Sequence, residues 1–236
     1  MNGEQTLVNK ETVKLSQSMP TTMSAEPVLP ITIHHPRFTV RQLGLADYSP
    51  VWREMQSFTA ARSAGTEDEF WSVEHPPVYT LGVAAKLEHL PRVDNGIALV
   101  KTDRGGQITY HGPGQVVIYT LLDLRRRSLG VRALVRKLER AVIELLQDYR
   151  VPASGREDAP GVYVGGAKIA ALGLRVRNGC CYHGLSLNVD MDLTPFEVIN
   201  PCGYPQLKVT QLRDLGIREP APQVAEKLLD RLATEL

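Results

Sequence analysis

The stretch KIAALGLRVRNGCCYHGLSLNV, residues 168–189, predicts a β-hairpin at the centre of the fold. In its middle lies Asn178-Gly179, the strongest short signal for a two-residue hairpin loop, because a type I′ turn needs positive φ at both central residues. With that loop, Gly173 faces Gly184 across the two strands. The register of the whole hairpin is therefore predicted from one turn.

The alternation of side chains in a strand divides this hairpin into two faces. Lys168 faces Val189 at the end of the apolar face, whose members are Lys168, Ala170, Leu172, Leu174, Val176, Cys181, His183, Leu185, Leu187 and Val189. The opposite face carries Arg175, Arg177, Tyr182, Ser186 and Asn188. The opposed glycines leave a gap where a ligand chain could approach the backbone. An ordinary hairpin with a snorkelling lysine is the alternative.

Length and composition indicate one ordinary globular domain. The chain has 236 residues, 43% of them apolar, with 27 basic against 26 acidic residues, which gives no overall attraction to nucleic acid or membrane. Residues 1–30 are rich in Ser, Thr, Met and Pro and contain no long apolar run, so we predict a disordered tail and one domain over residues 31–236. Three cysteines are too few for a disulfide framework and predict a cytoplasmic protein.

Hydrophobic periodicity predicts a mixed α/β or α+β fold in which helices pack on a mixed sheet. A helix over Val131–Tyr149 has a continuous apolar stripe, and a second helix is predicted around Val224–Leu236. A third contains Trp52 and Met55 behind a cap at Asp47 or Ser49. Further strands are predicted at Phe38–Leu43, Glu69–Glu74, Ile97–Lys101 and Gln115–Leu122.

A candidate nucleophile lies in Asn200-Pro-Cys-Gly-Tyr204. Proline restricts the backbone before Cys202 and glycine lets it turn afterwards, which could expose the thiol and aim amides at an oxyanion. An ordinary thiol is only slightly ionised at neutral pH, and Lys168 could be the cation that activates it. A small buried cysteine in a turn is the alternative. Cys180 and Cys181 alternate in a strand and are more typical of packing residues.

Two further patterns leave alternatives open. The segment Arg104–Gln115 has four glycines but matches neither the P-loop nor the G-x-G-x-x-G pattern, which argues against a nucleotide phosphate loop. The segment is either a loop that lines an acyl or carbonyl site or a plain glycine-rich turn. A basic cluster is either a solvated face or a dock for an acidic protein; it comprises Arg125, Arg126, Arg127, Arg132, Arg136, Lys137 and Arg140. A zinc site from Cys181, His183 and Cys202 lacks the paired C-x-x-C spacing.

Together these motifs resemble the lipoyl(octanoyl) transferase family, which moves an octanoyl group from acyl carrier protein to lipoyl domains. The resemblance runs from about Phe38 to Leu215 and is most specific in RGGQITYHGPGQ, residues 104–115. KIAALGLRV at 168–176, HGLSLN at 183–188 and NPCGY at 200–204 follow in the family's order. It implies the fold of biotin and lipoate ligase catalytic domains.

The resemblance also implies roles for individual residues. Cys202 would be the acyl-thioester nucleophile, and Lys168 would lower its pKa and exchange protons. The implied substrate contacts are Arg104, Gly105, Gly106, Gln107, Ile108, Thr109, Tyr110, His111, Ala171, Leu172, Gly173, Gly184, Leu185 and Ser186. It implies no metal or cofactor. The implied partners are octanoyl-acyl carrier protein and the lipoyl domains of 2-oxoacid dehydrogenases and of the glycine cleavage H protein.

Two other functions remain compatible with these residues. An ATP-dependent lipoate or biotin ligase of the same fold would bind an acyl-adenylate through the lysine and would not need Cys202. A non-catalytic carrier-binding module would need neither Lys168 nor Cys202. The Pro-Cys-Gly segment and the Lys168/Cys202 pair favour the transferase.

Overall fold

The computed structural model describes residues 31–35, 37–86, 90–91, 94–199 and 207–236. Its strands are β1 Ile31–His35, β2 Phe38–Leu45, β3 Glu69–Glu74, β4 Val78–Leu81, β5 Ala98–Lys101, β6 Ile108–His111, β7 Gln115–Asp123, β8 Ser154–Gly155, β9 Gly161–Val164, β10 Ala167–Arg177 and β11 Cys180–Asn188. Three α-helices accompany them: α1 Tyr48–Ala61, α2 Val131–Asp148 and α3 Ala221–Glu235. Short 3-10 helices span Thr194–Phe196 and Leu212–Leu215.

The predicted mixed sheet with packed helices is confirmed, and the strands form two such sheets. The larger sheet has eight strands in the order β1-β2-β3-β7-β11-β10-β9-β8, and β2 and β3 pair in parallel while the other neighbours are antiparallel. The smaller has the order β5-β4-β6, with β4 and β5 in parallel. The small sheet holds the glycine-rich segment Arg104–Gln115, because β6 belongs to that segment and pairs with β4.

Helices cover both faces of the large sheet. Alternate residues of β7, such as Ile118 and Tyr119, enter different apolar clusters. The Ile118 side holds α2 and α3, whereas the Tyr119 side holds α1. A third cluster lies under the small sheet and includes Tyr110 and Phe196. The two-residue period of the strands thus produces a layered core.

The hairpin register predicted from Asn178-Gly179 is confirmed. Both turn residues have positive φ, 51° and 75°, as a type I′ loop requires. Gly173 pairs with Gly184, and pairing of β10 with β11 runs from Arg177↔Cys180 to Ala170↔Leu187. β11 lies between β10 and β7, so the hairpin occupies the middle of the large sheet.

The predicted opposition of Lys168 and Val189 is wrong. The register of β10 against β9 shifts between Lys168 and Ala170, which is the signature of a β-bulge. Beyond the bulge, Lys168 forms a parallel bridge with Val209. Its N–H donates to the Lys208 carbonyl at 2.8 Å, and its carbonyl accepts the Thr210 N–H at 3.0 Å.

The predicted separation of Tyr182 and His183 onto opposite faces is also wrong. His183 has a left-handed backbone, with φ of 61°, and strict alternation of side chains assumes extended φ on every residue. Both side chains contact Asp103, and their rings stack with centroids 5.1 Å apart.

The segment Arg104–Gln115 is only partly a loop, because Ile108–His111 forms strand β6 and pairs with β4. The predicted tail, residues 1–30, and the segment 200–206 with Cys202 lie outside the described residues. None of the helices in the described part of the chain combines the length and apolarity that a membrane span requires.

Candidate active site

A cleft lies between the small sheet and the middle of the large sheet. It is lined by Tyr48, Arg104, Gly106, Gln107, Ile108, Thr109, His111, Val117, Tyr119, Ala171, Leu172, Gly173, His183, Gly184, Leu185 and Ser186. The three stretches that the sequence analysis singled out for substrate contact therefore meet at one cleft, although Gly105 and Tyr110 do not line it.

Backbone hydrogen bonds hold the glycine-rich segment over the cleft. The N–H groups of Gly82, Val83 and Ala84 donate to carbonyls of the loop 104–107, at 2.9–3.1 Å. A Cβ on Gly82 would come within 2.2 Å of the Gly106 carbonyl oxygen. Glycine is needed there because the two backbones approach so closely.

The two opposed glycines meet other backbone instead of an open gap. Gly105 donates its N–H to the Leu174 carbonyl at 2.9 Å. A Cβ on Gly173 would lie 3.2 Å from both the Arg104 side chain and the Gly105 carbonyl. On β11, a Cβ on Gly184 would lie 2.0 Å from the Ile118 carbonyl oxygen. The predicted gap is thus occupied by the loop on one side and by β7 on the other, while both glycines still border the cleft.

Arg104 holds the loop in position from inside the wall of the cleft. Its Nε donates to the Thr80 hydroxyl at 3.0 Å, and its Nη2 donates to the Thr80 hydroxyl and carbonyl at 2.8 and 2.5 Å. Its Nη1 donates to the Gly105 carbonyl at 3.0 Å. The side chain is buried, so these bonds orient the guanidinium rigidly at the cleft.

A second, smaller cavity opens at the Lys168 end. It shares Thr109, Ala171 and Ser186 with the larger cleft, so the two cavities meet at these residues. Lys168 is 4% exposed and borders the second cavity. A buried lysine ammonium must be paired to be tolerated, and its Nζ donates to the Pro160 carbonyl at 3.0 Å and lies 5.1 Å from the Tyr163 ring centre.

Gly161 and Glu139 support Lys168, and the sequence analysis missed both. A Cβ on Gly161 would lie 2.9 Å from the Lys168 Cε and 3.0 Å from its Nζ, so glycine makes room for the lysine. The Gly161 N–H donates to Glu139 at 2.8 Å. Burial raises the pKa of Glu139, while the Gly161 bond and the charge of Lys168 oppose that rise. The sequence signal was a carboxylate next to Leu138 within an apolar helix stripe.

Asp103 gathers polar side chains from two elements, α1 and β11, at the other end of the cleft. It accepts hydrogen bonds from Trp52 at 2.9 Å, from Gln56 at 3.2 Å and from the Tyr182 hydroxyl. His183 Nε2 lies 3.0 Å from its Oδ1. Burial alone would raise the pKa of Asp103, but the hydrogen bonds from His183, Tyr182, Trp52 and Gln56 hold it below the ordinary value.

His111 lies in the cleft wall with both ring nitrogens in contact with polar groups. Its Nδ1 is 2.7 Å from Gln115 Oε1, and its Nε2 is 3.5 Å from the Thr80 hydroxyl. Gln115 in turn donates to Asn188 at 2.9 Å. Burial and the nearby His75 lower the pKa of His111 to about 3, so the imidazole is neutral at pH 7.

Tyr110 points away from the cleft into the cluster under the small sheet. Its ring centre is 5.6 Å from that of Tyr79 and 5.5 Å from that of Phe196.

Cys180 and Cys181 are buried and free. Burial raises the pKa of the Cys181 thiol to about 12, which keeps this thiol un-ionised. Within the described ranges there is no group of three metal-ligating side chains.

The members of the basic cluster have different environments in the fold. Arg126 and Arg127 bind the buried Asp68 at 2.7 and 2.5 Å, and Arg62 binds the same carboxylate. A buried carboxylate needs such compensation of its charge. Lys137 donates to the Glu235 carbonyl. Exposed residues of the cluster include Arg125, Arg132 and Arg136.

The chain is similar to known proteins over most of its length. The model of the lipoyl protein ligase A/B catalytic domain matches residues 47–233. The chain belongs to this family. It is 60% identical to an octanoyltransferase of Laribacter hongkongensis over 197 residues, which cover 84% of this chain and 95% of that protein. It is also 60% identical to an octanoyltransferase of Thiobacillus denitrificans over 210 residues, covering 88% and 96%. Like these octanoyltransferases, the chain is an enzyme, a transferase.

Solved structures support the same fold. A crystal structure of lipoate-protein ligase A bound with ATP has a TM-score of 0.66 at 15% identity and covers 83% of this chain and 84% of that one. A biotin protein ligase from Aquifex aeolicus has a TM-score of 0.55 at 16% identity, covering 83% and 69%. The predicted fold of the biotin and lipoate ligase catalytic domains is therefore confirmed.

Proposed function

We propose that the chain transfers an octanoyl group from an acyl carrier protein to a lysine of a lipoyl domain, through a thioester on Cys202. The observation that carries the proposal is the meeting of three separate family motifs at one cleft that continues to the buried Lys168. The kinship with proteins named octanoyltransferase supports the choice of acyl group.

Chain connectivity supports Cys202 as the partner of Lys168. Lys208 and Thr210 flank Lys168 through backbone hydrogen bonds, and Cys202 is six residues before Lys208. Six residues span at most about 20 Å. Phe196, on the other side of the segment 200–206, borders the same cavity as Lys168.

The proton balance of the proposed reaction requires one group that gives and then takes a proton. Lys168 as ammonium stabilises the Cys202 thiolate, which attacks the thioester carbonyl of the carrier. The departing carrier thiolate takes a proton from Lys168. Neutral Lys168 then accepts a proton from the incoming lysine ammonium, whose ordinary pKa of about 10.4 would otherwise keep it non-nucleophilic.

The second acyl transfer gives an amide and returns the Cys202 thiolate, and the second proton of the incoming amine is released to water. An amide is more stable than the thioester consumed, so the proposed reaction needs no ATP.

We further propose that the acceptors are the lipoyl domains of 2-oxoacid dehydrogenases and the glycine cleavage H protein. The reaction would occur in the cytoplasm, and residues 31–236 would form the single catalytic domain. The exposed Arg136 lies on α2 close enough to Glu139 to affect its pKa, which places a positive charge near the Lys168 end for an acidic carrier.

Intact-mass measurement after incubation with octanoyl-carrier protein tests the proposal. The wild-type chain should gain one octanoyl group, which hydroxylamine should release, and should then pass it to a lipoyl domain. Cys202→Ala should abolish both steps, whereas Cys180→Ala and Cys181→Ala should retain the adduct. Full transfer by Cys202→Ala would show that the acyl group passes directly between substrates.

A further inference from the structure

A single peptide unit separates Lys168 from a buried carboxylate. The Pro160 carbonyl accepts the hydrogen bond from Lys168 Nζ at 3.0 Å, and the Gly161 N–H donates to Glu139 Oε1 at 2.8 Å. This carbonyl and this N–H belong to the same planar peptide bond, in which they point in opposite directions. The Lys168 amino group and the Glu139 carboxylate therefore lie within about 8 Å of each other, on opposite sides of that bond.

The backbone of two strands holds the Glu139 carboxylate. On β9, Gly161 gives its N–H to Oε1. On β8, a Cβ on Gly155 would lie 3.0 Å from Oε2, closer than ordinary van der Waals contact. The side chain is 9% exposed. The carboxylate is thus buried against β8 and β9, at the peptide unit that binds Lys168.

The charge of Glu139, more than its shape, requires an explanation. Glutamine has the same shape, and its carbonyl oxygen would accept the same hydrogen bond from Gly161. A buried carboxylate costs far more free energy than a buried amide. Burial accordingly raises the pKa of Glu139, while the Gly161 N–H and the charges of Lys168 and Arg136 oppose the rise. These three groups favour the carboxylate form, and its charge acts on Lys168 in return.

Glu139 is the anion that faces Lys168 across this peptide unit. Other ionisable groups around Lys168 are Tyr163 of β9, the exposed pair Arg156 and Asp158, and the exposed Lys208. The Tyr163 hydroxyl donates to the Ala159 carbonyl at 2.7 Å, so it is a neutral phenol. Arg156 and Asp158 pair with each other at 2.6 Å. Burial and the nearby cations favour a neutral amine at Lys168, and Glu139 opposes them.

We propose that Glu139 is a positioning residue for Lys168, which holds the amino group at the Pro160 carbonyl and keeps it charged through the peptide bond between Pro160 and Gly161. The proposal rests on the proposed function, because it explains how a buried Lys168 carries the proton that acyl transfer needs. Glu139 acts through Lys168 and not on the substrate.

Both proton steps of the proposed reaction benefit from this charge. An ammonium is required to stabilise the Cys202 thiolate, whereas burial favours the neutral amine. After Lys168 has given its proton to the departing carrier thiolate, the charge of Glu139 makes the amine a stronger base toward the incoming lysine ammonium. At the effective dielectric constant of protein sites, one charge about 8 Å away changes a pKa by about one unit.

Titration of Lys168 in Glu139→Gln tests the proposal without any substrate. Glutamine keeps an acceptor for the Gly161 N–H and removes the charge. The protein would carry carbon-13 at lysine Cε, and the Lys168 resonance would be identified by its loss in Lys168→Met. We expect the titration midpoint of Lys168 to fall by about one pH unit. A folded Glu139→Gln whose Lys168 midpoint stays within about 0.3 unit of the wild type overturns the proposal.

Glu144→Gln is the matched control. It makes the same change on α2, at a glutamate whose charge acts on Arg231 of α3. The midpoint of Lys168 should stay within about 0.3 unit of the wild type in this variant. An equal fall in both variants would show that the total charge of the helix, and not the peptide unit, acts on Lys168, and this would also overturn the proposal.

The reverse titration does not depend on the folding of Glu139→Gln. Coupling between two charges is reciprocal, so the loss of the ammonium in Lys168→Met should raise the pKa of Glu139 by about the same amount. The Cδ resonance of Glu139, titrated in the wild type and in Lys168→Met, measures this change. Equal midpoints in the two proteins would mean that the carboxylate and the amino group are not coupled.

Steady-state kinetics separate this role from the proposed function. Octanoyl transfer by the wild type tests the function itself. Where transfer occurs, Glu139→Gln should lower kcat about tenfold at the wild-type pH optimum and move its alkaline limb about one unit toward lower pH. KM for the carrier should change less than about twofold. A fall in kcat without that shift would indicate a merely structural role for Glu139. If the wild type transfers nothing, the two titrations still decide whether Glu139 keeps Lys168 charged.

Discussion

The two ends of the cleft use buried polar side chains in different ways. At one end, Lys168 donates to the Pro160 carbonyl and lies close to Tyr163 and Glu139. At the other end, His183 is bound on one nitrogen and unpartnered, within the described residues, on the other. The two ends therefore differ in what they offer: an amino group that can carry charge at the Lys168 end, and at the other end an imidazole whose pKa burial lowers.

Replacement of Lys168 should have the largest effect, and that effect should be confined to the rate of acyl transfer. Lys168→Met keeps most of the apolar stem, and we expect transfer of every acyl donor to fall about 10²- to 10⁴-fold with chain-length preference unchanged. Alkylation of Cys202 by iodoacetamide should titrate near the pKa of an ordinary thiol, about 8.5.

His183→Asn is the control, since it should leave the alkylation profile of Cys202 as in the wild type. Lys168→Arg should restore part of the thiolate but little transfer, because guanidinium does not release its proton. A wild-type alkylation profile in Lys168→Met would mean that another cation activates the thiol.

Gly161→Ala should disturb the Lys168 end without removing the lysine. The new methyl group would lie 2.9 Å from the Lys168 Cε and 2.7 Å from the Ala170 carbonyl oxygen, at a φ of 146°. We expect a loss of stability of about 1–3 kcal/mol and a fall in kcat of roughly tenfold, measured by denaturant unfolding and steady-state kinetics.

Gly165→Ala is a matched control, because Gly165 also has a positive φ but a Cβ there meets nothing within 4 Å. It should lose about 1–2 kcal/mol of stability from backbone strain and keep its kcat. An equal loss of kcat in both variants would show that general destabilisation, and not contact with Lys168, lowers the rate.

Acid should destabilise the fold through two buried histidines, His75 and His111, of which His111 lies in the cleft wall. Burial lowers the pKa of His75 to about 4, and burial with His75 lowers that of His111 to about 3, against about 6.5 in the unfolded chain. Between these values the unfolded chain binds more protons than the folded chain. The free energy of unfolding is therefore highest above about pH 6.5. It decreases as the pH is lowered, by up to about 1.4 kcal/mol per pH unit for each histidine. His111→Gln should reduce the slope of unfolding free energy against pH; an unchanged slope would exclude His111 as its source.

A surface change near the Lys168 end should have the smallest effect. If Arg136 attracts an acidic carrier, Arg136→Glu should raise KM for the carrier severalfold at low salt, leave kcat unchanged and flatten the salt dependence. Arg218→Glu makes the same charge change at another exposed arginine and should have no effect on KM. Equal effects of both changes would indicate overall charge, with no specific contact at Arg136.

Patterns governed by neighbouring residues were predictable from sequence. The register of β10 and β11 followed from Asn178-Gly179, because a two-residue turn determines the pairing of both flanking strands. The apolar stripe predicted α2 at Val131–Tyr149, and the helix spans Val131–Asp148. The short strands β4, β8 and β9 were not predicted, because two to four residues carry too little periodicity.

Contacts between distant segments were decided by the tertiary structure alone. The sequence determined the hairpin, the main helices, the family motifs and the choice of Lys168 and Cys202 as candidates, since each is written in adjacent residues. Only the fold bridged Lys168 to Val209 after a bulge and set Glu139 behind it. Only the fold brought His183 to Asp103, eighty positions away, because a left-handed residue interrupts the strand alternation on which sequence analysis relies.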